Sequence, residues 1–186
     1  MAIKLITGNK RKLGEFNQIL GPNISVEQLE IDLDEIQGLD PKKILEHKLN
    51  EASKHHKGEM LVEDTSVFLE ALEWKFPGPL IKWLWAAIGA NGTYKLAENS
   101  GKTGAKAVVS IGYYDGKECH YFEGTIEGDI VSPRGESDFE WDVIFRPKGE
   151  KRAYSQMSKE EKHKISARGK ALEKFREYYL SKTNRK

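Results

Sequence analysis

Cysteine is almost absent from this chain of 186 residues: Cys119 stands alone, so no internal disulfide can form and no cysteine set can hold zinc. That usage fits a reducing compartment, and the cytoplasm is the expected location. No apolar run approaches the roughly 20 residues that a membrane-spanning helix requires, and no signal-peptide apolar region is evident, so the chain reads as soluble, unexported and without a membrane partner. The five histidines lack metal-ligand spacing, no Ser-His-Asp pattern can be argued, and no internal repeat or low-complexity tract is present.

Net charge is only +1, yet it is unevenly spread. Residues 27 to 73 carry 13 acidic and 5 basic side chains, residues 146 to 186 carry 14 Lys and Arg against 5 Glu, and residues 1 to 12 add four cations with no acid. A metal held by carboxylates and a polyanion held by cations would use that division; solvated helix faces and a frayed basic tail at Ser181 to Lys186 are the plainer account of most of these charges.

Length suits one domain over residues 1 to 186. Ile3 to Ile6, then Gly8 and Asn9, then apolar residues at Leu13, Phe16, Ile19 and Leu20 read as strand, turn, helix. Ile24 to Leu33 alternates as a second strand, and Asp40-Pro41 starts a helix with Ile44, Leu45, Leu49 and Ala52 on its inner stripe. Met60 to Val62 reads as a short strand ending at Glu63-Asp64-Thr65, followed by a helical stretch through Leu72 and, after Pro77-Gly78-Pro79, an aromatic helix around Ile81 to Ile88. Asp115-Gly116 joins two β-rich runs, Ala105 to Tyr114 and His120 to Ile130, as a hairpin. A strand at Val143 to Phe145 follows, then Ser158 to Glu161 has a capping-box pattern, and Ser166 opens a last helix. The class is α/β with a mixed sheet.

Three cations fall on apolar helix stripes: Lys12 with Phe16, Ile19 and Leu20; Lys48 between Leu45, Leu49 and Ala52; Arg168 ahead of Ala171, Leu172 and Phe175. Either their stems pack inward while the heads reach water, or something anionic meets them. Thr7-Gly8-Asn9-Lys10-Arg11-Lys12, at a strand end and helix entry, is a candidate phosphate cradle. Ser100-Gly101-Lys102-Thr103 imitates a P-loop but has Leu96 where the first glycine belongs, and reads as a surface turn. Glu35 and Asp64, each near a strand end, could hold Mg²⁺ between them, while a helix N-cap is an equal account of Asp64. In Phe139-Glu140-Trp141-Asp142 the aromatics could sandwich a flat base or pack inward as a strand.

In this order the segments Thr7-Gly-Asn-x-x-Lys12, Glu35-Ile-Gln-Gly38, Val62-Glu-Asp-Thr65, Pro77-Gly-Pro-x-Ile-Lys82, Phe139-x-Trp-Asp142 and Met157-x-x-x-Glu-Lys162 with Ser166-x-Arg168 resemble the inosine triphosphate pyrophosphatase family over nearly the whole chain. The resemblance implies a two-lobed α/β fold with a long curved mixed sheet flanked by helices, a site in the cleft, a homodimer, and Mg²⁺-dependent hydrolysis of ITP, dITP or XTP to monophosphate and pyrophosphate. It implies that Thr7, Gly8, Asn9, Lys10, Arg11, Lys12, Lys48, Lys82 and Lys162 contact triphosphate or sugar, with Thr65 beside them. It further implies that Glu35 and Asp64 bind Mg²⁺, that Asp64 orients or deprotonates the attacking water, that Phe139 and Trp141 stack on the base, and that Asp142 and Arg168 read its polar edge. Two departures stand out: Ala167 where relatives commonly have His, and Glu140, in the substrate-binding segment, where they usually have Gly. The missing His leads to an expectation of weaker selectivity for inosine over adenosine. Two other readings are a pyrophosphatase of modified pyrimidine nucleotides and a nucleic-acid-binding protein using the basic C-terminal segment; the second leaves Glu35, Glu63 and Asp64 unexplained, and no nucleic-acid partner is expected.

Overall fold

The computed structural model describes residues 2–137 and 140–183. The chain runs β1 (Ile3–Ile6), α1 (Lys10–Leu20), β2 (Val26–Leu29), α2 (Pro41–His55), β3 (Met60–Leu69), β4 (Pro77–Gly78), α3 (Ile81–Ser100), β5 (Gly104–Tyr114), β6 (Cys119–Ile130), β7 (Phe145–Pro147), α4 (Lys159–Ile165) and α5 (Ala167–Thr183). Local chemistry sets most of these limits. The Asn9 side chain accepts from the Arg11 N–H to start α1, Asp40 accepts from the Lys42 and Lys43 N–H groups with Pro41 next in line, and Ser158 and Glu161 form a reciprocal box at α4. At the hairpin, Asp115 accepts from the Lys117 and Glu118 N–H groups, and Gly116 takes φ 94°, which a side chain would strain.

One seven-stranded mixed sheet results, in the order β2-β1-β3-β5-β6-β7, with β4 also on β3. β1 lies parallel to β2 and β3, and the remaining pairs are antiparallel. One face packs Leu5, Leu61, Val109 and Ile111 against Phe16 and Leu20 of α1 and Leu172 and Phe175 of α5. The other packs Met60 and Val62 against Leu45, Leu49 and Ala52 of α2. α5 lies close on β6: a Cβ built on Gly124 would be 2.0 Å from the Ala167 carbonyl oxygen and 2.6 Å from the Ala171 nitrogen.

Several boundaries differ from the sequence reading. The second strand is only Val26–Leu29, and Ile24 to Leu33 is otherwise irregular. β3 does not stop at Val62; it runs on through Glu63, Asp64 and Thr65 to Leu69, so Asp64 caps no helix, and only a short 3₁₀ turn, Glu70–Leu72, follows. Pairing with β5 along the whole strand, Met60↔Tyr114 to Leu69↔Ala105, holds it extended. The aromatic helix continues to Ser100 across a kink at Gly89 (φ 60°) and ends on Gly101 in a left-handed conformation, which leaves Gly101 to Thr103 as the expected turn. Residues 140–143 form a 3₁₀ turn before β7 rather than part of a strand. Helix α5 reaches Thr183, so Ser181 to Thr183 are helical; residues 184–186, the rest of the expected tail, lie outside the described residues.

The sheet opens beside β3. β1 pairs with it only at Met60 and Leu61, and β4 only at Val67 and Phe68. Between them, on the edge of β3 opposite β5, Val62 to Ser66 pair with no strand among the described residues, and side chains from both faces of the sheet reach the gap.

Candidate active site

The gap leads into a cavity of about 810 Å³, within the span usual for small-molecule ligands. The loop after β1 supplies Thr7, Gly8 and Asn9. Its shape is set by Thr7 Oγ1 accepting from the Asn9 N–H (3.1 Å) and by Gln28 donating to the Thr7 carbonyl (2.7 Å). The positive end of α1 begins at this loop. Lys12, Lys48, Thr65, Lys82, Trp141, Asp142, Lys162 and Arg168 also line the cavity, as do Glu35 and Asp64. Lys10 and Arg11 are exposed and outside the lining, because the helix turns them away from the face that carries Lys12. Phe139 and the side chain of Glu140 lie outside the described residues.

Alternation along β3 divides its two acids between the faces of the sheet. Glu63 points toward α1 and α5: it lies 3.0 Å from Lys12 Nζ and accepts from Arg168 Nε (2.7 Å) and a terminal Arg168 nitrogen (2.9 Å). Glu15, one turn beyond Lys12, accepts from the other terminal nitrogen of Arg168. Asp64 points toward α2, where Lys48 Nζ sits 3.5 Å from its Oδ1 and 3.1 Å from Glu35 Oε1. The three cations on apolar stripes are therefore each met by an anion, but the anion is a carboxylate of the protein. Glu15 escaped the sequence reading; its only signal was an acid one helical turn from Lys12, and its pairing depends on α5 lying against α1.

These pairings set the ionisation of the site. Burial pushes Glu63 upward, but the charges of Arg168 and Lys12 overcome it and hold the carboxyl well below its usual range, while Arg168 is held correspondingly high. Asp64 is raised, burial outweighing Lys48 and Lys12. Its Oδ2 is buried and has no hydrogen-bond partner among the described residues.

At the far end Trp141 stacks on Phe145 (centroids 4.1 Å apart, planes at 25°) while still lining the cavity, so it packs inward and faces the site at once. Asp142 is buried, with Oδ2 accepting from Ser137 (3.0 Å) and Lys162 (2.6 Å) and Oδ1 unpartnered. Burial raises its pKa against the pull of Lys162. Thr65 donates to Glu63 (3.3 Å), and Lys82 Nζ lies 5.9 Å from the Trp83 ring centroid.

Among the described residues no three His, Cys, Asp or Glu side chains gather as metal ligands. Glu35 and Asp64 do converge on one point, now filled by the Lys48 ammonium, and the orphaned Asp64 Oδ2 adds a hard oxygen donor. Two carboxylates, completed by phosphate oxygens and water, suit Mg²⁺, so the residues fit the cofactor expected from the sequence.

An open mixed sheet with a charge-dense cleft beside its central strand is an α/β architecture shared with solved bacterial proteins. A HAM1 protein from Coxiella burnetii superimposes with a TM-score of 0.81 at 21% identity, covering 97% of this chain and all of that one. A Mycobacterium abscessus structure described as a nucleoside-triphosphatase / dITP/XTP pyrophosphatase gives 0.70 at 25% identity, over 94% of this chain and 98% of that one. In sequence the Ham1 family matches residues 3–178, and this chain belongs to it. Relatives named inosine triphosphate pyrophosphatase are 41% identical in Pyricularia oryzae (98% of this chain, 95% of the relative) and 37% identical in Schizosaccharomyces pombe (98% and 97%).

Proposed function

We propose that this protein hydrolyses non-canonical purine nucleoside triphosphates, ITP, dITP and XTP, to the monophosphate and pyrophosphate, with Mg²⁺ as cofactor, as a cytoplasmic homodimer. The observation that carries the reading is Asp64: a half-buried carboxylate with one oxygen toward Lys48 and the other, Oδ2, buried and unpartnered, in a cavity large enough for a nucleotide. Its raised pKa suits an acceptor for the proton of an attacking water. The new bond joins the water oxygen to the α-phosphorus, the bond from that phosphorus to the bridging oxygen breaks, and pyrophosphate leaves with the electron pair. The loop at Thr7 to Asn9, with Lys12, Lys48, Lys82 and Lys162, grips the phosphates and sugar, and catalysis is chiefly positioning and charge neutralisation. Mg²⁺ on Glu35 and Asp64 would offset charge on the phosphate oxygens. Trp141 offers a face to the purine, and the unpartnered Asp142 Oδ1 can accept from its polar edge, with Arg168 donating alongside. The exposed apolar side chains of Leu39 and Trp83 support a self-associating surface, and no described helix is long and apolar enough to cross a membrane.

Pyrophosphate release from ITP, XTP, GTP, ATP and a pyrimidine triphosphate, with and without Mg²⁺, tests the reading. We expect release only with Mg²⁺ and preference for ITP and XTP, with Asp64→Asn slower by about 10²-fold or more. Full activity of Asp64→Asn overturns the assignment of the base, and a pyrimidine preference overturns that of the pocket.

A further inference from the structure

We propose that Glu63 is a positioning residue that couples the two ends of the substrate, because one carboxylate holds both Lys12, at the phosphate end, and Arg168, at the base end. The inference rests on the function proposed above. Glu63 sits in the middle of β3 with its side chain only 1% exposed, while Lys12 comes from α1 and Arg168 from α5. Oε1 is shared: Lys12 Nζ is 3.0 Å away, a terminal Arg168 nitrogen donates at 2.9 Å and Thr65 at 3.3 Å, while Oε2 accepts from Arg168 Nε at 2.7 Å. The two-point pair fixes the plane of the guanidinium, which an ammonium could not do. An oxygen shared between two cations makes their positions interdependent: when Lys12 turns toward a triphosphate, the acceptor it leaves is taken up more fully by Arg168. The reverse also holds, since a base edge that draws on Arg168 changes what Lys12 can offer the phosphates. Asp64 cannot share this role, as it faces the opposite side of the sheet toward Lys48.

Buried ion pairs are weak evidence for stability and better evidence for geometry, and the two can be told apart. A double-mutant cycle of Lys12→Gln and Arg168→Lys, reading kcat and KM with ITP, is run in the wild-type chain and again with Glu63→Gln. Beside it, calorimetry measures binding of inorganic tripolyphosphate, which has no base, to the wild-type, Arg168→Lys and Glu63→Gln proteins. With Glu63 present we expect the two changes to be non-additive by about fivefold or more in kcat/KM, and additive to within about twofold with Glu63→Gln. We also expect Arg168→Lys to weaken tripolyphosphate binding although that ligand cannot touch Arg168 through a base. Additivity in the wild-type chain, or unchanged tripolyphosphate binding by Arg168→Lys, overturns the proposal. Should Glu63→Gln fail to fold, the wild-type cycle and the calorimetry still decide, as neither needs that variant. Failure of the wild-type chain to release pyrophosphate from ITP would instead sink the proposed function, with the tripolyphosphate comparison still reporting on the coupling.

Discussion

A single methyl group at Gly124 should damage both the stability and the chemistry of this protein. Its Cβ would stand 2.0 Å from the Ala167 carbonyl oxygen, whereas ordinary contact begins near 3.4 Å, so the first turn of α5 must retreat by the difference, about 1.4 Å. The three nearest atoms, the Ala167 carbonyl oxygen and carbon and the Ala171 nitrogen, all belong to backbone, and no rotamer change relieves them. Overpacking of this kind costs about 1–3 kcal/mol, or about 2–4 °C in melting midpoint per kcal/mol at this size. Arg168 follows Ala167 directly and would be carried away from the cavity while Lys12, Lys48 and Asp64, on other elements, stay in place. Misplacement on the order of 1 Å can cost about 10²-fold, so Gly124→Ala should lower kcat/KM for ITP by about 10- to 100-fold. Chemical denaturation and steady-state kinetics on the same sample check both parts. A variant with unchanged midpoint and unchanged kcat/KM would refute the close approach of α5 to β6.

Gly14, exposed within α1 with nothing inside 4 Å of a built Cβ, should respond oppositely: Gly14→Ala should gain about 0.5–1 kcal/mol in denaturation experiments. Glu63 titrates below its ordinary value of 4.5, so its contribution is present above that value and lost as pH falls; between about pH 5 and pH 3 the wild-type chain should lose stability more steeply than Glu63→Gln, and parallel slopes would contradict the pairing. Ala167 lines the cavity and is buried, and Ala167→His should raise the ITP to ATP preference; unchanged preference with comparable turnover would remove position 167 from base selection.

The helix starts, the hairpin and most inner stripes were legible because each is set by a few neighbouring residues: Asn9, Asp40-Pro41, Asp115-Gly116, Ser158 with Glu161. β3 was misread because Glu63, Asp64, Thr65 and Ser66 interrupt its apolar character; they stay extended through β5, more than 40 residues away in the chain. The cations on apolar stripes were a sound signal of nearby anions, yet naming those anions needed α1, α2, α5 and β3 in one place. The pairing of Glu63 and Glu15 with Arg168 could be found only there. Lys10 and Arg11, which the sequence groups with Lys12, stand exposed outside the cavity lining, a division that neighbouring positions in the sequence do not reveal.

The same pairing has a consequence for how a ligand arrives. Among the described residues lining the cavity, Lys12, Lys48, Lys82, Lys162 and Arg168 are matched by Glu15, Glu35, Glu63, Asp64 and Asp142, five cations by five anions. With no standing charge the cavity exerts little pull beyond about 10 Å on a free nucleotide, so encounter is unsteered and its rate should change little with ionic strength. Attraction develops only at close range, as the ammonium groups of Lys12, Lys48 and Lys162 leave their carboxylates for a phosphate, and selection falls to the late, short-lived contacts that decide whether a nucleotide stays long enough to react.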